Sequence, residues 1–457
     1  MEPIVDVLGT GRSVDGRTFT AGVVPDSLQA GLVIALSADE DDYLGLVLSV
    51  SSGSEEDRAV GVVLGALEPD GTLAKGRRSP FPHARARVLG AEQVAGLQAS
   101  MRATMEIGRW DMAGSSAQLK LVPKAFNRHT FLCGQSGSGK TYALGVILEQ
   151  LILQTQLPMI VLDPNGDFVH LAQGRPDAPT GPVQRLADAG IQVTGTPENP
   201  LILRFTDLPR PVQAAVLELD PVRDRLEYGT WLDLEAGPRV TTGLAALVQE
   251  LLEGPEEQRA LAQRARNLGI ADWSIWAQGK PVQPPGAPPR VEVRDLSGFE
   301  HPAETLVAGI DVVERLWAER ASRRPTLLVI DEAHNLCPAE PQSPLQKLLV
   351  ERLIQIAAEG RKYGMWLLLS TQRPSKVHPQ VLSQCDNLVL MRMNSPLDLA
   401  DLGRLFGFAP EAMLQASPHF SQGELLVAGA FTPVPSFGRV GPRLSVEGGS
   451  DVSVPLN

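Results

Sequence analysis

Residues 134–141 read GQSGSGKT, and no other stretch restricts the fold of this chain as tightly. The run matches the pattern GxxxxGK[ST]. HTFLCG (129–134), an apolar run of strand type, leads into it. KTYALGVILEQLILQ (140–154) follows, with apolar residues at 144, 147, 148 and 151 on one helical face. A strand, a glycine-rich turn and a helix are the context in which this pattern has a physical meaning. Gly134, Gly137 and Gly139 let the backbone close around a polyphosphate with its N–H groups pointing inward. The helix N-terminus adds partial positive charge. The loop Gly134, Ser136, Gly137, Ser138, Gly139, Lys140 and Thr141 is therefore expected to bind a nucleotide. Lys140 should reach the terminal phosphates, and the Thr141 hydroxyl should ligate Mg²⁺. The alternative is a glycine-rich turn without a ligand.

A second run, TLLVIDEAH, ends an apolar strand in Asp331 and Glu332. Ligands of a parallel sheet bind at the carboxyl ends of its strands. Asp331 is expected to hold Mg²⁺, and Glu332 to orient or deprotonate an attacking water. The plain alternative is a strand cap. EGRKYGMWLLLSTQRPSK (359–376) presents a third buried strand that ends in Gln372, whose neutral amide suits a contact with a γ-phosphate or lytic water; the alternative is a turn before Pro374. Arg361, just ahead of that strand, is the first choice for an arginine placed at the developing charge, and Arg128 the second. For each, the alternative is a surface salt bridge. Asp163 and Asp167 in LDPNGDF (162–168) either support the metal or close a turn. Arg373 and Lys376 are possible DNA contacts.

The chain has 457 residues, enough for two to four domains, and 43% hydrophobic with 21% charged residues is an ordinary globular balance. A net charge of −12 excludes a protein that coats nucleic acid, but not one that touches it through a few loops. Cys133, Cys337 and Cys385 lie far apart without a CxxC, which points to core residues in a reducing compartment and to no structural zinc. No apolar run reaches the length of a membrane span, and the first residues lack a signal-peptide pattern; a cytoplasmic protein is expected. Residues 1–105 show short β-type runs typical of a small barrel or sandwich, with a basic patch at 75–87 read as a solvated loop or a contact for DNA or a partner. From about 124, strands alternate with helices, predicting a parallel α/β sheet. Residues 208–290 interrupt it with amphipathic helices and a Pro-rich linker (279–290), and strands then resume at 291–296, 326–331, 365–370, 387–392 and 424–429.

Together NRHTFLCGQSGSGKT, VLDPNGDF, LLVIDEAHNLCP and EGRKYGMWLLLSTQRPSKVHPQVLSQCDNLVLMR resemble the HerA family of hexameric DNA translocases, within the HerA/FtsK group of motor ATPases. The likeness spans about 124–430. It implies a RecA-like P-loop ATPase core over 106–207 and 291–435, a HAS-barrel-like N-terminal domain (1–105), a helical insertion (208–290) and a C-terminal tail (436–457). It further implies ATP and Mg²⁺ as cofactors, a homohexameric ring with double-stranded DNA in its pore, and a NurA-type nuclease partner in DNA-end processing. By this resemblance Asp331 and Glu332 are the Walker B pair, Gln372 the sensor, and Arg128 and Arg361 the subunit-bridging arginines. The short tail leaves little to brace a neighbour. Two other readings stay open: an ATP-dependent scaffold recruiting a nuclease or effector, as in phage defence, and a conjugation- or secretion-type DNA pump.

Overall fold

A computed structural model describes residues 7–449 except 40, 54–55, 77, 113–114, 235–242 and 279–287. Most of the Pro-rich linker and the last eight residues of the chain lie outside the described residues.

Near the N-terminus, strands β1 (Val7–Ser13), β2 (Thr18–Val23), β3 (Val33–Ala38), β4 (Asp41–Ser51), β5 (Asp57–Leu67), β6 (Leu73–Ala74) and β7 (Phe81–Val88) pair antiparallel. The order β2-β1-β7-β3-β4-β5 closes on itself through β2–β5 pairing, with β6 hanging on β5. The small barrel implied by the resemblance is thus present. Alternating side chains fill its interior, where Tyr43 stacks on Phe81 at 5.2 Å and Phe19 is buried. Gly61 is needed there, because a Cβ would come within 2.4 Å of the Phe19 ring.

The second sheet has eleven strands among the described residues: β8 (Met105–Met112), β9 (Ser115–Leu121), β10 (His129–Cys133), β11 (Met159–Asp163), β12 (Ile191–Thr194), β13 (Val291–Asp295), β14 (Thr326–Ile330), β15 (Met365–Thr371), β16 (Cys385–Leu390), β17 (Glu424–Gly429) and β18 (Ser436–Val440), ordered β12-β13-β11-β14-β15-β10-β16-β17-β18-β8-β9. The first seven in that order are parallel and the rest antiparallel. The sheet is therefore mixed, not wholly parallel as the alternation of elements predicted. The reason lies in long-range pairing. β18 pairs with β17 and with β8, so residues 105–121 and 436–440 extend the sheet from both ends of the sequence. The sheet thus continues past residue 435, where the sequence suggested a tail.

Strands β10, β11 and β14 are buried along their whole length, as expected for central strands covered on both faces. Helix Lys140–Gln154 lies on one face and is buried almost all round, and helices Pro302–Ala318 and Pro344–Glu359 pack on each other. Between β12 and β13 run the helices Arg210–Val216, Arg225–Asp233, Leu244–Leu252 and Glu256–Asn267, gathered around Phe205, Trp231, Trp273 and Trp276. Cys133, Cys337 and Cys385 are free and buried, and burial pushes their thiols up, that of Cys337 to about 12. Among the described residues no helix is long and apolar enough to cross a membrane.

Candidate active site

The loop between β10 and helix Lys140–Gln154 sits at the carboxyl end of the sheet. Gly137 (φ +71°) and Gly139 (φ +93°) take the left-handed conformation that glycine adopts without strain. Neighbouring backbone holds the loop in shape: Gln135 N–H donates to the Arg392 carbonyl (2.9 Å) and Gly423 N–H to that of Ser138 (2.9 Å). The Arg392 guanidinium donates to the Gly137 carbonyl at 3.2 Å.

Lys140 leaves this loop as the first residue of the helix and is buried. Its ammonium bonds Asp331 Oδ1 at 2.9 Å, Glu332 Oε1 at 2.9 Å and Ser370 Oγ at 3.2 Å. Burial works against the charge, but the two carboxylates outweigh it and hold the lysine above its ordinary range. Glu332 sits at φ +43°, an uncommon conformation for a side chain without an amide and one that recurs at functional sites. Gln372 Nε2 donates to its Oε1 at 2.9 Å, and His334 Nδ1 lies 3.3 Å from Oε2. Burial would raise the Glu332 carboxyl, yet His334, Lys140 and Gln372 together bring it down to about 2. Gln372, expected at the γ-phosphate or lytic water, thus lies beside Glu332. Arg373 and Lys376 are exposed beyond it.

The β11 acids join this group. Asp163, Asp167 and Asp331 bring carboxylate oxygens within 4.8 Å of one another. Asp163 accepts N–H bonds from Asn165, Asp167 and Phe168 (3.4, 3.0 and 2.8 Å), so it also closes the turn. Burial nonetheless pushes it up to about 7. Asp331 Oδ2 and Ser138 Oγ are buried without a hydrogen-bond partner among the described residues. An all-oxygen donor set with an orphaned carboxylate oxygen suits a hard divalent cation such as Mg²⁺. Thr141, in the first turn of the helix, is half-buried at the same end.

Residues 441–449 strap across the same region. The buried Arg443 side chain lies 3.6 Å from Glu149 Oε1, and Glu149 accepts the N–H groups of Leu444 and Ser445 at 2.8 Å each. Gly145 makes room, since a Cβ there would come within 2.6 Å of the guanidinium. Gly448 N–H then donates to the Asp167 carbonyl at 3.0 Å, tying the strap to the acidic turn.

Arg128 and Arg361 are not in this site. They precede β10 and β15, whose parallel course puts them at the amino end of the sheet. Arg128 to Gly134 spans roughly 20 Å along an extended strand, beyond the reach of an arginine side chain. Both bond Asp386 instead, Arg361 at 2.6 Å and Arg128 at 3.4 Å. Sequence reasoning did not single out Asp386, Arg392, Ser370 or Glu149. His334 stood in the quoted DEAH run without a role.

Residues 105–222 match the family model "Helicase HerA, central domain". A probable helicase of Methanocaldococcus jannaschii is 23% identical over 378 residues, covering 74% of this chain and 70% of that protein. The DNA double-strand break repair helicase HerA of Sulfurisphaera tokodaii is 20% identical over 465 residues, covering 93% and 90%. Among solved structures, VirB4 of Thermoanaerobacter pseudethanolicus aligns with a TM-score of 0.46 at 16% identity, over 74% of this chain and 97% of that one. With its phosphate loop, strand-end acids and a central stretch that matches this family model, the chain is a P-loop ATPase similar to the HerA-type helicases.

Proposed function

We propose that the chain is an ATP-driven motor that moves along double-stranded DNA as a homo-oligomeric ring, expected to be a hexamer, and that it works with a NurA-type nuclease in processing DNA ends. The observation that carries this reading is the division of the ATPase chemistry between the two ends of one sheet. Lys140, Asp331, Glu332 and Gln372 converge at the carboxyl end, whereas Arg128 and Arg361 are paired at the amino end. A chain built this way completes its site only head to tail with another copy, the arrangement that closes into a ring. The DNA substrate is supported by relatives named as DNA double-strand break repair helicases.

The side chains have separable tasks. The glycine-rich loop binds the phosphates, and Lys140 trades its two carboxylates for phosphate oxygens. That exchange frees Glu332, which keeps its contacts with His334 and Gln372. A carboxylate so placed can align a water by accepting its hydrogen bond. Gln372, bonded to Glu332, senses the same water or phosphate. Thr141 and Asp331 would hold Mg²⁺, which when bound neutralises phosphate charge. Arg361, with Arg128, reaches the neighbour's nucleotide.

The test is ATP hydrolysis by the purified chain with and without linear double-stranded DNA, with Lys140→Ala as the blank. Strong stimulation, absent from the blank, is expected. Hydrolysis indifferent to DNA would overturn the motor reading in favour of an ATP-dependent scaffold.

A further inference from the structure

Arg361 Nη1 and Arg128 Nη1 bond the same atom, Oδ2 of Asp386. Two guanidiniums against one carboxylate leave one unmatched positive charge. His129 beside them adds none, because burial, followed by the Arg361 charge, brings it down to about 4. Lys124 and Lys362 are exposed on the flanking turns, with Glu359 as the nearby acid in sequence. The arginine side chains are 49% and 34% exposed and that of Asp386 43%, so the trio faces outward.

Stability does not account for this arrangement. An exposed ion pair contributes only about 0–1 kcal/mol once the entropy of fixing two long side chains is counted. Yet the acid is firmly placed. Its own carbonyl accepts from Ala430 N–H at 3.2 Å. Asn387, the next residue, is buried, donates to the Ala125 carbonyl (3.1 Å) and Thr130 Oγ1 (3.0 Å), and accepts from Phe431 N–H (3.0 Å). These bonds fix β16 against the turn and strand that carry Arg128. Asp386 engages only Nη1 of each arginine, and a guanidinium has five N–H donors, so a second oxyanion can be bound at the same time.

We infer that Asp386 is a positioning residue: it holds Arg128 and Arg361 side by side, and their unmatched charge receives the terminal phosphate of a nucleotide bound to a second copy of the chain. The inference rests on the reading of these arginines as acting across a subunit boundary. The same segment carries the signal's other end. Two residues after β16 ends at Leu390, Arg392 bonds the chain's own phosphate loop at Gly137. Asp386 and Arg392 thus lie about 20 Å apart along one nearly extended segment.

The test mixes full-length variants. Asp386→Asn should retain its melting temperature and its affinity for a non-hydrolysable ATP analogue while losing on the order of tenfold or more in kcat, since arginine placement acts on the transition state. Mixed with Lys140→Ala, it should regain activity, because at mixed interfaces one subunit supplies an intact loop and the other an intact trio. Arg361→Ala mixed with Lys140→Ala is the reference. If that pair rescues and Asp386→Asn does not, Asp386 serves only its own subunit and the inference falls. If neither rescues, the trans reading itself falls. Should Asp386→Asn melt early, Asp386→Glu, which keeps the charge, is mixed in the same way, and its rescue or failure decides. A loss confined to binding of inorganic phosphate or DNA, with kcat intact, also overturns the assignment.

Discussion

The carboxyl and amino ends of the parallel sheet make opposite use of charge. At the carboxyl end, Lys140 is buried between Asp331 and Glu332, one Asp331 oxygen is left without a partner among the described residues, and the strap 441–449 closes over the acidic turn. At the amino end, Arg128, Arg361 and Asp386 are half exposed and unbalanced. A buried lysine held by acids in excess can exchange them for phosphate and leave the acids to a cation. An exposed site with two guanidiniums on one carboxylate keeps an excess positive charge that an anion from outside the chain can match. The difference teaches that a catalytic apparatus need not be complete in one chain for its parts to be recognised, because each half carries its own electrostatic signature.

The sharpest way to break this comparison is at the amino end. Arg361→Ala is expected to lower kcat on the order of 10³-fold, the scale of a missing arginine at a phosphoryl-transfer site, with little change in nucleotide affinity. Steady-state hydrolysis beside analogue binding checks it. An equal loss in binding would mean that Arg361 shapes its own subunit's site. At the carboxyl end, Glu332→Gln should keep ATP binding and lose roughly 10²-fold in turnover. Normal turnover would remove Glu332 from the water-aligning role.

Much of the carboxyl end was legible in the sequence because its signals are local. Three glycines within six residues, a lysine opening a helix, and two acids ending an apolar strand each declare themselves without knowledge of the fold. The barrel was legible as spaced β-type runs. What escaped depends on pairing between distant segments. No local feature of 105–121 or 436–440 announces that they share one sheet, and Arg443 gives no sign that it is buried beside Glu149, nearly 300 residues away. Asp386 is a single acid in an apolar strand. Only the register of β10, β15 and β16 shows that two arginines meet it.

The strap offers a structural contrast between the ends. Arg443→Ala leaves the buried Glu149 carboxylate its hydrogen bonds from Leu444 and Ser445 but no cation, and the loss of one partner of a buried ion pair costs about 3–5 kcal/mol. Urea unfolding should show the loss directly. Because the strap bonds the Asp167 turn, protection of that turn in hydrogen exchange should fall as well, while β10 and β15 near the arginines should keep theirs. Equal loss at both ends would mean that the strap supports the whole sheet and not its carboxyl end alone.

The last and smallest effect concerns His129, the buried neighbour of the arginine pair. Its Nδ1 accepts the Leu367 N–H at 2.9 Å, so its Nε2 carries the proton given to the Ala357 carbonyl at 3.0 Å. Both nitrogens are used in the neutral ring, and burial, then the Arg361 charge, opposes a second proton, bringing the group down to about 4. The unfolded chain has no such restraint and titrates near the ordinary 6.5. Above pH 6.5 the ring is neutral in both states and its native bonds are fully available. As pH falls from 6.5 toward 4 the unfolded state binds a proton that the native state refuses, so stability declines; below 4 both are protonated and the loss is complete. A gap of this size corresponds to about 3 kcal/mol at most. His129→Gln, which can donate and accept without titrating, should flatten this part of the stability curve when urea midpoints at several pH values are compared. If the variant declines as steeply as the parent chain, the proton is taken up elsewhere, and the arginine pair does not have the uncharged neighbour on which its single unmatched charge depends.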